Sequence, residues 1–418
     1  MLRSVVLGSL LLLALPAAAD TATAPAPLRG KALDTRVASL MKAANVPGLA
    51  VAIIEDGKVV SLKAYGQRDV EKSLPLTTDT VMYAASLTKA AFAYATMSLV
   101  QDGKLALDTS IADDLPKPLP DYPKYADLAA DERWRKLTPS ILLSHRTGFP
   151  NFRFWQPGKD YDPNGKLSFY FDPGTRYGYS GEGINLMQFV LENGKSIDVD
   201  TLMKTRLFDH YGMTRTSMTW RDDFADNLAI GYDENGKPLG HKRRESVRAA
   251  GSMDTTVHDY AQLLAAMVRG DGLDAATYQT WLRPVIRIHS VQQFPTIGLP
   301  ETTENDAIGL GYAMGVGRYR SAHGEAFFKE GHDDGTNNLA VCLMGPKRCV
   351  LLMSNSSNAE GIFPYLLEAT LGDTCFPWYW SSDIPFDHPE FRGEAGRSLP
   401  RASCTLPKTK GYAAAGGR

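Results

Sequence analysis

The chain has 418 residues, 44% hydrophobic and 22% charged, with 37 Gly and 25 Pro. This near-average globular mix excludes disordered, collagen-like and coiled-coil architectures. The 45 basic and 47 acidic residues leave a net charge of −2, so no global field directs the chain to nucleic acid or to an anionic membrane. Any function has to be read from local features.

Residues 1–19 carry one early charge, Arg3, then an apolar run from Val5 to Leu15, Pro16 and the small triplet Ala17-Ala18-Ala19 before Asp20. That is the layout of a secretory signal peptide, and about 11 apolar residues are too few to cross a bilayer, which takes roughly 20. The mature protein is therefore expected in the periplasm or secreted, without stable membrane insertion.

The predicted elements follow in chain order. From Leu33 to Asn45, Val37, Leu40, Met41 and Ala44 recur at helical spacing. Two strand-like runs, Leu49–Glu55 and Val59–Tyr65, meet through Asp56-Gly57, a strong hairpin dipeptide. Ser86 to Gln101 reads as a helix that is apolar nearly all round, so it is expected between layers rather than on a surface. Residues 108–245 turn rich in Pro, Asp, Tyr and Trp, with short helical stretches and a hairpin near Asn235-Gly236. Thr256 to Arg269 is a helix opened by a Thr256-x-x-Asp259 capping box and stopped by Gly270. Strands are expected at Gly311–Tyr319, Leu339–Met344 and Cys349–Ser354, and a helix at about 362–371.

Hairpins between most neighbouring strands imply a mostly antiparallel sheet. The expected fold is mixed α/β (α+β): a five-stranded antiparallel sheet flanked by helices. Its domain spans 20–372, with a sheet lobe from 20–107 and 246–372 and an inserted helical lobe from 108–245. Residues 373–418 form a partly loose tail.

The four cysteines suit an oxidising compartment, where three disulfide pairings are open. Cys342 and Cys349 lie on apolar runs separated by Gly345-Pro346-Lys347, which reads as a hairpin with the two cysteines opposite each other. They are expected to pair, leaving Cys375 and Cys404 to close the tail. The chain contains no C-x-x-C, H-E-x-x-H or H-x-x-x-H spacing, so neither metal nor cofactor is expected.

Ser86-Leu87-Thr88-Lys89 opens the buried helix. Three residues apart on a helix, hydroxyl and ammonium share a face. A serine hydroxyl needs a neighbour to take its proton, and a desolvated lysine of depressed pKa can do so. The helix N-terminus adds N–H donors where an oxyanion would form. The same four-residue pattern recurs at Ser39–Lys42, there on a solvated helix face. Gly178–Glu182 just misses the G-x-S-x-G elbow and follows no strand.

Two further segments accompany Ser86: Pro173-Gly174-Thr175-Arg176-Tyr177-Gly178-Tyr179-Ser180-Gly181 and Phe328-Lys329-Glu330-Gly331-His332-Asp333-Asp334-Gly335-Thr336. Together they resemble the S-x-x-K, Y-x-N and K-T-G or H-x-G motifs of the penicillin-recognising serine hydrolases. The branch resembled contains class C β-lactamases, D-aminopeptidases, D-Ala-D-Ala carboxypeptidases and family VIII esterases. Val46–Val51, Asp102–Asp108, Leu142–Pro150 and Ala249–Met253 resemble further segments of that branch, in order.

The resemblance implies an acyl-enzyme on Ser86 with Lys89 as general base and Tyr179 relaying the proton. It implies an oxyanion hole from the N–H groups of Ser86 and Gly335, with His332 in the place of the third-motif lysine. Two departures stand out: Gly181 replaces the usual Asn, and Asp334 replaces a Gly. On a strand, residues 332 and 334 share a face, so Asp334 is expected to pair with His332 and to repel a substrate carboxylate. The expected activity is an exported serine hydrolase cleaving an amide or ester of a small molecule or peptide, with β-lactam hydrolysis secondary. The rivals are a β-lactamase or D-Ala-D-Ala carboxypeptidase, and a non-catalytic peptide-binding protein on the same scaffold.

Overall fold

The computed structural model describes residues 26–399 and 404–410, so the signal-like segment and the Ala-Gly terminus lie outside the described residues. Helix α1 (Gly30–Ala43) buries Leu33, Val37, Leu40 and Met41, the stripe its spacing dictates. Strands β1 (Gly48–Glu55) and β2 (Lys58–Asp69) form a hairpin. Its turn residues Asp56 (φ 50) and Gly57 (φ 70) are both left-handed, as a two-residue turn of this hand requires. A short strand β3 (Leu74–Pro75) follows. Helix α2 (Leu87–Gln101) is buried on every face, as its all-round apolar sequence demands.

After helix α3 (Gly181–Gly194) comes α4 (Val257–Arg269), where the Thr256 hydroxyl accepts the Asp259 N–H at 3.0 Å and Gly270 (φ 84) ends the helix. The remaining strands of the main sheet are β4 (Ile286–Arg287), β5 (Gly311–Tyr312), β6 (Gly317–Ser321), β7 (Gly324–Asp333), β8 (Thr336–Leu343) and β9 (Arg348–Ser354). Helix α5 (Phe363–Leu371) follows the last strand.

These strands make one antiparallel sheet in the order β3-β2-β1-β9-β8-β7-β6-β5-β4. The N-terminal hairpin docks on the last strand, from Leu49 opposite Ser354 to Ile54 opposite Cys349. The mixed architecture is the expected one, but the sheet has nine strands rather than five. Five long strands form its centre, and the short edge strands carry too few residues to show an alternating pattern. The expected strand Gly311–Tyr319 is broken at Gly315 (φ 78), where a Cβ would lie 2.3 Å from the Ala93 Cβ. That loop rests directly on α2. Strand β7 extends well before the residues 332–334 that were expected on a strand; the glycines and charges of Gly324–Gly331 dilute its apolar signal.

Two apolar layers cover the sheet. One contains α2, α4 and the helices of the inserted region; the other contains α1, α5 and the tail residues Cys375, Phe376, Trp378, Trp380 and Ile384. The first part of the tail, through Ile384, is therefore core, whereas Glu390, Arg392, Cys404 and Lys410 further along are exposed. Its aromatic rings bury too much apolar area to stay in water, at roughly 1.5–3 kcal/mol per large side chain. Disulfides join Cys342 to Cys349, directly opposite each other on β8 and β9, and Cys375 to Cys404.

Candidate active site

Ser86 stands at the N-cap of α2, partly exposed, and its side chain makes no capping bond. Its hydroxyl instead accepts a hydrogen bond from Lys89 Nζ at 2.8 Å. The same Nζ donates to the Ala250 carbonyl at 2.5 Å. Ala85, just before the serine, has φ 47, a left-handed conformation that costs a residue with a Cβ about 1–2 kcal/mol. Neighbours hold this turn in place: Ala84 N–H donates to Met253 O at 3.0 Å, and Asn338 Nδ2 reaches the Tyr83 and Ala84 carbonyls at 3.0 and 3.3 Å.

Lys89 is 1% exposed. Burial, reinforced by the nearby Lys329 charge, holds its pKa well below that of a free lysine. An amine whose charged form is disfavoured in this way is suited to accept the serine proton. The second Ser-x-x-Lys lies on α1 with Lys42 exposed.

Tyr179 is buried against this pair. Burial raises its phenol above the usual value, with contacts to Lys329 and Ser86 partly offsetting that rise, so the hydroxyl stays protonated at neutral pH. The Lys89 and Lys329 side-chain nitrogens each lie 5.2 Å from its ring centroid. The loop carrying it is moored to His145, itself at φ 56: Gly178 N–H donates to His145 O at 2.8 Å, and Ser180 N–H to His145 Nδ1 at 3.1 Å. Burial and the two lysines depress the His145 pKa well below the usual imidazole value, leaving a neutral ring tilted over Tyr179 at 4.4 Å.

The amide expected to be missing at Gly181 has a neighbour in its place. Asn151 Oδ1 accepts the Gly181 N–H at 2.8 Å and would lie 3.0 Å from a Cβ there.

Strand β7 brings the third motif to the site in a different register from the expected one. Lys329, not His332, donates to the Tyr179 hydroxyl, at 3.3 Å. Gly331 rests on the nucleophile turn, where a Cβ would meet Ala84 O at 2.5 Å and Ser86 N at 3.2 Å. Lys329-Glu330-Gly331 thus occupies the place given above to His332-Asp333-Asp334. Gly335 is not an oxyanion donor to Ser86: its N–H goes to Ser357 Oγ at 2.9 Å and it packs on Gly231. Asp334 does not pair with His332, because the strand ends at Asp333 and Asp334 is exposed in the turn. It lines, with Asp333, Lys242 and Arg244, a neighbouring cavity of about 150 Å³. The carboxylates near His332 are Glu360 and Asp383.

The Lys329 charge is buried with its counterion. Its ammonium donates to Glu330 Oε1, which also accepts from Gln293 Nε2, and to Glu330 O at 2.9 Å. The pair holds Lys329 above and Glu330 below their ordinary values, each against its desolvation. Glu330→Gln should leave an unpaired buried cation and lower stability by about 3 kcal/mol, read from urea unfolding. A loss under about 1 kcal/mol would show that the pair is not what stabilises this corner.

The pattern of the Beta-lactamase family matches residues 33–370. The chain belongs to that family. Among its relatives, a D-aminopeptidase of Gluconobacter oxydans is 24% identical over 201 residues, 48% of this chain and 38% of that protein. An unguisins hydrolase of Aspergillus campestris is 26% identical over 57% of this chain and 48% of its own length. The chain thus spans less than half the length of these curated relatives. Among solved structures, a D-alanine carboxypeptidase of Burkholderia cenocepacia superposes with a TM-score of 0.61 at 18% identity, covering 78% of this chain and 93% of that one. This last likeness establishes the Beta-lactamase fold.

Sequence reasoning gave Lys329, Glu330, Gln293, His145, Glu360 and Asp383 no role. Lys329-Glu330-Gly331 did carry a signal, a K-x-G triplet, passed over for the H-x-G alternative three residues later. Among the described residues, no group of three or more His, Cys, Asp or Glu side chains is set to hold a metal ion, and no helix is long and apolar enough to cross a membrane.

Proposed function

We propose that this chain is an exported serine hydrolase that cleaves an amide or ester through an acyl-enzyme on Ser86. The observation that carries the reading is the 2.8 Å hydrogen bond between the Ser86 hydroxyl and a lysine that is fully buried and of depressed pKa. Neutral Lys89 takes the serine proton as Oγ attacks the carbonyl carbon. The resulting tetrahedral oxyanion lies at the N-terminus of α2. One donor is the Ser86 N–H and the other is the His332 N–H. Glu330 O accepts from Lys329 on the edge of β7 beyond its pairing with β6, and two residues along a strand the backbone groups point the same way.

As the intermediate collapses, the leaving amine or alkoxide gains a proton through the Tyr179 hydroxyl, resupplied by the Lys89 ammonium. Water then attacks the acyl carbon, giving its proton back along the same route, and releases the acid and free Ser86. Lys329 keeps positive potential on the phenol throughout. The two disulfides fit an oxidising compartment.

Incubation with a fluorophosphonate probe should add one probe mass to the protein, and Ser86→Ala should abolish the addition. Absence of labelling in the folded wild-type protein would favour a binding protein without catalysis.

A further inference from the structure

The segment between β4 and β5 takes no part in the chemistry given above, yet one of its residues bonds toward both Lys329 and Tyr179. Gln293 is 5% exposed. Its Nε2 donates to Glu330 Oε1, the same oxygen that accepts from Lys329 Nζ. A carboxylate only accepts, so the amide presents its nitrogen there. The Gln293 backbone carbonyl accepts from the Thr296 hydroxyl, and Thr296 Oγ1 in turn accepts the Tyr179 N–H at 3.2 Å. A single buried residue is thus tied to the third motif through its side chain and to the second motif through its backbone.

The contact between those motifs has little slack. Lys329 Nζ reaches the Tyr179 hydroxyl at 3.3 Å, the long end of a hydrogen bond, so a small further separation breaks it. The Lys329 ammonium carries three protons, and its acceptors are Tyr179 Oη, Glu330 O and Glu330 Oε1. The ammonium therefore follows Glu330 Oε1 wherever that oxygen goes. A second donor on Oε1 restricts the carboxylate to one orientation, and Gln293 is that donor. On the other arm, His145 moors Gly178 and Ser180, while Thr296 holds the backbone of Tyr179 itself.

What fixes Gln293 comes from the tail. Its N–H donates to the Trp380 carbonyl at 2.8 Å. The Trp380 ring packs on Tyr177 and Phe328, and its indole donates to Ser290 Oγ at 3.1 Å. Trp380 lies beyond residue 370, where the family pattern ends.

We propose that Gln293 is a positioning residue for proton delivery: it holds Lys329 and Tyr179 at the separation from which the phenol protonates the leaving group. The proposal rests on the acyl-enzyme reading given above and adds to it a residue that acts only through Glu330 and Thr296. Without the amide, Glu330 Oε1 is free to turn, Lys329 turns with it, and the phenol loses the cation that orients its hydroxyl. Attack by Ser86, with Lys89 as base, is untouched by that change; departure of the leaving group is not.

The test compares kcat/KM of the whole protein for two butyrate esters. A p-nitrophenolate departs without a proton, whereas an ethoxide needs one as its C–O bond breaks. Gln293→Met fills nearly the same space without the amide. It should lose about 30-fold on ethyl butyrate and about threefold or less on p-nitrophenyl butyrate. Thr296→Val, which removes the acceptor for the Tyr179 N–H, should show the same split. A lesion that merely loosened the fold would lower both esters alike, because Ser86 and Lys89 serve both. Equal losses on the two esters, or ethyl butyrate turnover within about threefold of wild type in both variants, overturns the positioning role. So does a wild type that cleaves only the p-nitrophenyl ester, since Tyr179 then delivers no proton. A wild type that releases no p-nitrophenol overturns the acyl-enzyme reading instead.

Discussion

Replacing Lys89 with methionine should lower ester or amide turnover by about 1,000-fold, the usual scale for loss of a positioned general base. Folding stability should change by no more than about 1 kcal/mol. The two expectations have one cause. Lys89 is buried near the Lys329 charge, where its charged form is costly and its neutral form is a good base. Methionine fills nearly the same volume without that desolvation cost, and what is lost is chiefly the bonds to Ser86 and to the Ala250 carbonyl.

The sign of the pH dependence follows. A lysine base works only when deprotonated, so the acylation rate should climb with pH through the lowered lysine pKa and then level off. The Tyr179 phenol, pushed upward by burial, remains a proton donor across that range. Stopped-flow acylation kinetics on the wild type and on Lys89→Met measure both effects. Turnover above about a tenth of wild type in the variant would remove Lys89 from the role of base.

Gly331→Ala should cost about 100-fold in acylation through geometry alone. Its Cβ would fall 2.5 Å from Ala84 O, 3.0 Å from Leu87 N and 3.2 Å from Ser86 N, all of them backbone atoms that no side-chain rotation can move aside. The nucleophile turn must therefore shift relative to β7, and a displacement near 1 Å from attack geometry costs about that factor. Because the clash is local, the variant should keep its circular dichroism spectrum and unfold cooperatively. Activity within about fivefold of wild type would mean that β7 is not docked on Ser86 as described.

The elements legible in the sequence are those whose signal is local. The Asp56-Gly57 turn, the Thr256 cap, the Gly270 stop and the all-round apolar helix after Ser86 each rest on the conformational needs of a few adjacent residues. For the same reason Ser86 and Lys89 could be paired: one helical turn brings them together whatever else the chain does. Tyr179 was found through the motif around it. The register of the third motif was not legible, because two candidate triplets lie three residues apart and only the packing of Gly331 against Ser86 separates them. Asp383 was invisible for another reason: it lies 51 positions beyond His332, on a segment without periodicity, and comes near only because Trp378, Trp380 and Ile384 bury themselves against the sheet.

From its residues alone, then, the chain specified a mixed α/β fold with an antiparallel sheet and a serine–lysine pair at the start of a buried helix, since helical spacing and apolar periodicity are properties of neighbouring residues. The tertiary structure alone decided which lysine meets Tyr179, which glycine seats the nucleophile, and that Glu360 and Asp383 gather near His332. Those are contacts between distant segments, and they are set by how the sheet edge, the inserted region and the tail pack together.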